Sequence, residues 1–125
     1  MATIKSFTSL EQSKKLADIL PLESADMRIG NYVGKSGKVD GTNIHYFPKG
    51  ESFGAPEIID AWSLAALLSV LPFPVLYMEM LGGMILWSCE CHFMETDEVV
   101  KMEHYDNPVD ACVTMIEKLK ELNLL

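Results

Sequence analysis

The stretch D-N-P-V-D-A-C-V-T-M-I-E-K-L-K-E-L-N-L-L, Asp106 to Leu125, carries a complete helix start signal and dictates what the rest of the chain must supply. Asn107 is a favoured N-cap, Pro108 suits the first helical position, and Asp110 sets a negative charge near the positive end of the helix dipole. Val109, Cys112, Val113, Ile116, Leu119 and Leu122 recur at three- and four-residue steps and form one apolar stripe. Lys118 and Lys120 fall in the closing turns, where cations are favourable. An apolar stripe of this kind has to be covered, so the preceding sequence must provide a sheet or other helices.

Just upstream, Val75 to Met80, Gly82-Gly83 and Met84 to Phe93 read as a β-hairpin, because a Gly-Gly pair accepts the positive φ of a tight turn. Period two places Ile85, Trp87, Cys89, Cys91 and Phe93 on one face, expected to be the core side. Met84, Leu86, Ser88, Glu90 and His92 share the other face, expected to be half wet. Glu95-Thr96-Asp97 turns the chain into a third strand, Glu98 to His104. Ala61 to Met78 has no charge for eighteen residues, close to the ~20 of a membrane span. Pro72 and Pro74 break it, so it reads as a buried helix followed by a buried strand. Ser63 is the expected cap of that helix, with Trp62 packed on Leu67 as a hydrophobic staple.

Toward the start, Thr8-Ser9-Leu10-Glu11 has capping-box form with Thr8 as the cap, and it opens a first helix that Pro21 stops. Met27 to Val33 and Asn43 to Phe47 are short candidate strands. Six of the eight glycines lie between Gly30 and Gly54 and mark residues 34–56 as a Gly-rich loop or insertion. Together these signals predict a single α+β domain over residues 1–125. Its antiparallel sheet packs with about three helices, the last of them C-terminal.

At 125 residues, 49% hydrophobic and 22% charged, the chain is long enough for one real core and is not disordered. Between Glu79 and Asp110 eight acids face Lys101 alone, so seven of the eight net negative charges fall there. No basic face is visible to release phosphate counterions, which argues against a nucleic-acid partner. Met1 to Lys15 has no apolar run of the secretory type. Three cysteines do not make a disulfide framework, which predicts a reducing, cytoplasmic setting, and no membrane anchor is expected.

Three segments have the outline of known motifs. Gly30-Asn31-Tyr32-Val33-Gly34-Lys35-Ser36 has three residues between its glycines where a phosphate-binding loop has four, and no helix follows. Cys89-Glu90-Cys91-His92 suggests a metal site with His104 and Cys112. On a strand, however, the cysteines point away from His92, and core packing is the better explanation. A nucleophilic Cys112 with His104 is disfavoured because Cys112 sits on the buried stripe. The sequence therefore predicts no catalytic residue, no cofactor and no metal. It points to Glu90, Asp97, Glu98 and Glu103 as a shared acidic interaction surface that steers a protein partner with a basic surface.

Ser24-Ala25-Asp26-Met27, Ala61-Trp62-Ser63-Leu64 with Leu67-Leu68, Trp87 and Asp106-Asn107-Pro108-Val109-Asp110-Ala111 occur in that order. In this the chain resembles a family of small uncharacterised bacterial proteins associated with phages and mobile elements of gut anaerobes. The resemblance implies a genomic setting and no activity. The functional expectation is a non-enzymatic accessory protein that works by protein–protein contact, a homodimer included. A small-molecule-binding module is the alternative, with a hydrolase more distant.

Overall fold

The computed structural model describes residues 6–31, 44–48 and 57–125. The chain forms helix α1 (Leu10–Ala17), a 3-10 turn (Leu22–Ser24), strands β1 (Met27–Asn31), β2 (Ile44–Pro48) and β3 (Glu57–Ala61), and helix α2 (Leu64–Val70). Strands β4 (Pro74–Leu81), β5 (Met84–Phe93) and β6 (Glu98–Tyr105) then lead to helix α3 (Pro108–Glu121). It is an α+β fold with a C-terminal helix. The strands make two antiparallel sheets of three strands each, in the orders β2-β1-β3 and β4-β5-β6, where the sequence suggested one. β3 is the unexpected element: Asp60-Ala61 reads as the approach to a helix, but it ends a strand that pairs with β1. Most of the Gly-rich stretch 34–56 and the loop pattern beginning at Gly30 lie outside the described residues. Among the described residues, no helix is long and apolar enough to cross a membrane.

Local signals explain the helix ends. Asn107 Oδ1 accepts from the Asp110 N–H at 2.8 Å with Pro108 following, as its sequence requires. Ser63 caps α2 by accepting from the Ala66 N–H at 3.2 Å. In α1 the cap is one residue later than expected. Ser9 accepts from the Gln12 N–H at 3.2 Å, and Gln12 Oε1 accepts from the Ser9 N–H at 3.0 Å. Thr8 and Glu11 are displaced from those roles because the Thr8 hydroxyl is already used. It accepts the Trp62 N–H at 3.1 Å and lies 2.8 Å from Ser13 Oγ, whose own proton goes to the Ser9 carbonyl.

The core lies between the helices and the inner face of the second sheet. Leu16, Trp62, Leu67, Cys89, Cys91, Val109, Cys112, Met115, Ile116 and Leu119 are all fully buried. α3 packs on β5, β6 and α2. Its stripe is buried as read except for Leu122, which is exposed at the C-cap. Trp62, at the junction of β3 and α2, has every polar group bonded. Its N–H and carbonyl pair with Thr8, and its Nε1–H donates to Ser24 Oγ at 2.9 Å. Asp26 accepts both the Ser63 N–H, at 2.8 Å, and the Ser63 hydroxyl. The Ser24–Asp26 and Trp62–Ser63 segments, singled out together in the sequence, are thus directly bonded to each other.

Removing the acceptor for a fully buried indole N–H has a defined cost. Ser24→Ala should destabilise the fold by about 1–3 kcal/mol, read as a lowered urea midpoint with an unchanged slope. A midpoint equal to that of the parent would show that the indole finds another partner.

Candidate functional site

Apart from Cys112 of α3, the chemistry-bearing residues that the sequence pointed to lie on the second sheet and its β5–β6 turn, and the structure distributes them over two faces. On the outer face Glu90 is the centre of a compact network. Lys101 Nζ lies 3.2 Å from Glu90 Oε1, His92 Nε2 lies 3.3 Å from Oε2, and the Tyr77 hydroxyl donates to Oε1 at 3.2 Å. The Glu90 side chain is only 17% exposed. Burial works to raise its pKa, but the bond to Lys101 and its charge, with Tyr77 and His92, outweigh that. The carboxyl is held below its ordinary range. The same bond with Glu90 raises Lys101, and burial followed by the Glu90 charge raises Tyr77.

Beside this network β6 bulges. Trp87 pairs with Tyr105 and Cys89 with Met102, so two steps on β5 match three on β6. His104 takes a left-handed φ of 68° there, and its N–H is satisfied by Ser88 Oγ at 3.2 Å. The bulge buries Ser88 completely, against the half-wet expectation, because the extra residue of β6 lies over it. It also sets the His104 Nε2 near Glu79, at 3.7 Å, and near Glu103, at 3.9 Å.

The four carboxylates expected to share one surface are therefore divided. Glu90 is half-buried and internally paired, and Glu103 is exposed on the same face, 3.7 Å from Lys101. Asp97 sits in the β5–β6 turn with φ 60°. Glu98 pairs with Phe93, which places it on the opposite face from Glu90. Like charges are kept apart across the ladder, which the sequence spacing alone could not show.

On the inner face Cys89 and Cys91 point into the core, and Cys112 of α3 meets them there. All three are buried and unbridged. The bond to Cys89, with burial, holds the Cys91 and Cys112 thiols far above their ordinary range. Hydrogen bonding to Cys112 and then Cys91 favours Cys89 as the most acidic of the three. No cation among the described residues offsets the burial, so we read all three as thiols. Cys112 and His104 lie on opposite sides of the sheet and form no pair. Among the described residues, no group of three or more His, Cys, Asp or Glu side chains is placed to hold a metal ion.

Two other surfaces stand out. The β4–β5 hairpin runs past the cover that α3 provides, and in its far half Glu79 is the one charged residue among exposed apolar ones. Met78 is 61% exposed, Met80 74%, Met84 57% and Ile85 55%, with Leu81 exposed beside them. Here the uncharged run up to Met78, expected to end in a buried strand, lies instead at the edge of a sheet. Ile85, expected on the core side, points past the end of the helix. At the opposite end of the sheet is an open cavity of about 400 Å³ between the Pro72-Phe73 bend, the β5–β6 turn and Leu124. His92, Phe93 and Met94 contribute to its wall, and Glu95 and Glu98 to its acidic rim. Compared with known protein families, curated proteins and solved structures, the chain matches none.

Two outcomes follow from this geometry. A thiol reagent should find no fast-reacting cysteine in the native protein and three after unfolding. One rapid native equivalent would show that the core opens at the sheet. Because the folded-state pKa of Glu90 is depressed, its contribution is complete above the ordinary carboxylate pKa of about 4.3 and is lost as pH falls through the lower folded value. Glu90→Gln should therefore be less stable than the parent at neutral pH, with the difference fading on acidification. A pH-independent difference would mean that the lost contribution is packing and not charge.

Proposed function

We propose that this chain is a non-enzymatic accessory protein that acts by binding protein, and that the β4–β5 hairpin is its contact surface. The observation that carries this reading is the exposed cluster of Met78, Met80, Leu81, Met84 and Ile85 at the far end of the hairpin. Contiguous apolar surface outside a core marks contact sites, and methionine is favoured in them because its flexible thioether adapts to a partner. The resemblance to phage- and mobile-element-associated proteins suggests a genomic setting for such an accessory protein and adds no activity. A cytoplasmic location fits three unbridged cysteines. Of the exposed carboxylates, Glu103 lies nearest the hairpin, beside His104 and Glu79, and would favour a basic group on a partner, while Asp97 and Glu98 are at the opposite end of the sheet.

The cavity beside Phe73 supports a second reading, small-molecule binding, since its volume lies in the range of ligand pockets. The two readings separate experimentally. Met80→Lys with Ile85→Lys should abolish a protein contact made by the parent chain while leaving the melting temperature unchanged. Met94→Ala, in the cavity wall but away from β4, should leave that contact intact. If the hairpin variant retains every contact and the Met94 variant loses a small molecule seen by native mass spectrometry, the pocket is the site.

A further inference from the structure

The two edges of the second sheet are built differently. β6 carries Glu98, Lys101, Glu103 and His104, and it is interrupted by the bulge. Charge and bulges are the devices that keep an exposed strand from pairing with another chain. β4 has neither. It runs in unbroken register with β5 from Pro74 to Leu81, and Glu79 is its only charged residue. Among the described residues no strand pairs with its outer side.

The hydrogen-bonding phase of that edge follows from the hairpin. Gly82 and Gly83, with φ of 58° and 81°, make a two-residue turn, so Leu81 and Met84 are a hydrogen-bonded pair. The antiparallel ladder then alternates. Leu81, Glu79, Tyr77 and Val75 spend their N–H and C=O groups on β5, while Met80, Met78 and Leu76 turn theirs outward. The next outward position is Pro74, which has no N–H.

We propose that the partner of this surface is a second copy of the chain. β4 pairs antiparallel with its own equivalent, Met78 lies on the two-fold axis, and the two three-stranded sheets become one of six strands. The inference rests on the hairpin being a protein-contact surface. In this register Met78 lies opposite Met78, and Leu76 lies opposite Met80 of the second copy. Every outward N–H and C=O of Leu76, Met78 and Met80 is then satisfied. Their side chains stand on the inner face and extend one apolar strip across the junction. Glu79 falls opposite Tyr77 of the second copy, a neutral neighbour.

The neighbouring registers are worse. Sliding by two residues one way sets Glu79 against Glu79, and like charges directly opposite are destabilising. Sliding the other way sets Met80 against Pro74 and forfeits a donor. The Met78-centred register also brings Phe73, exposed and held at a φ of 40° between two prolines, to the Gly82-Gly83 turn of the second copy. Nothing lies within 4 Å of a side-chain position at either glycine, so the aromatic ring has room.

Sedimentation of the purified chain over a concentration series should give twice the 14.0 kDa chain mass. Because each copy carries a net charge of −8, association should strengthen as salt screens the repulsion, the opposite of binding to a basic partner. Met78→Pro removes one outward donor without touching the β5 ladder and should return the mass to that of a monomer with helix and sheet content unchanged. Met78→Cys should cross-link into a covalent dimer on mild oxidation, at least tenfold more than Met80→Cys, since only position 78 faces itself. A monomer at every concentration and salt overturns self-pairing. If the Met80→Lys, Ile85→Lys variant still loses a contact with another protein, the hairpin reading survives that result. A dimer indifferent to Met78→Pro, or one that cross-links equally at both positions, overturns the β4 register.

Discussion

Trp62 is where the two halves of the fold are joined. Its side chain lies fully inside the core, so an unpaired N–H or C=O there would carry the whole cost of lost hydration. Thr8 and Ser24 remove that cost from three directions. Asp26 holds the next residue, Ser63, in place to start α2. The approach to α1, the 3-10 turn, β3 and α2 are thereby tied to one point. Gln12 adds a link to the far end of the chain: its Nε2–H donates to Asp110 in the first turn of α3 at 2.7 Å. The first sheet and the three helices are held around this junction, and α3 carries the second sheet.

The division of the second sheet follows from that arrangement. α3 is fourteen residues long and covers β5 and β6, so their middle residues are buried on the inner face. β4 lies outside that cover, and the hairpin it forms extends past the helix. A strand with few charges on an uncovered edge is normally a liability, which is why β6 on the other edge carries ion pairs and a bulge. The contrast between the two edges supports a contact role for β4 more strongly than the exposure of any single methionine.

The polar residues that resemble a site serve the sheet itself. Glu90 joins Tyr77 on β4 to Lys101 on β6 across the central strand, an arrangement of the cross-strand kind that stabilises sheets. Ser88 satisfies the amide exposed by the bulge. The three cysteines fill a narrow space between β5 and α3, where small apolar side chains are needed.

By itself the sequence determined the helices, the hairpin and which face of β5 carries Cys89 and Cys91. These depend on local chemistry: caps at Asn107 and Ser63, a Gly-Gly turn, and periods of 3.6 and two. From its capping-box pattern the sequence put the first cap at Thr8 and not at Ser9, because only the long-range bond from Trp62 takes the Thr8 hydroxyl out of that role. It could not show that β4 is an edge, since an uncharged strand in a core and an uncharged strand at a contact surface read alike. Nor could it separate Glu98 from Glu90, because that depends on the register between β5 and β6. Which residues form a surface, and which only lie close in sequence, was decided by where β6 ends and α3 begins, opposite Trp87, and by the extra residue in β6. Both act only once the elements are packed together.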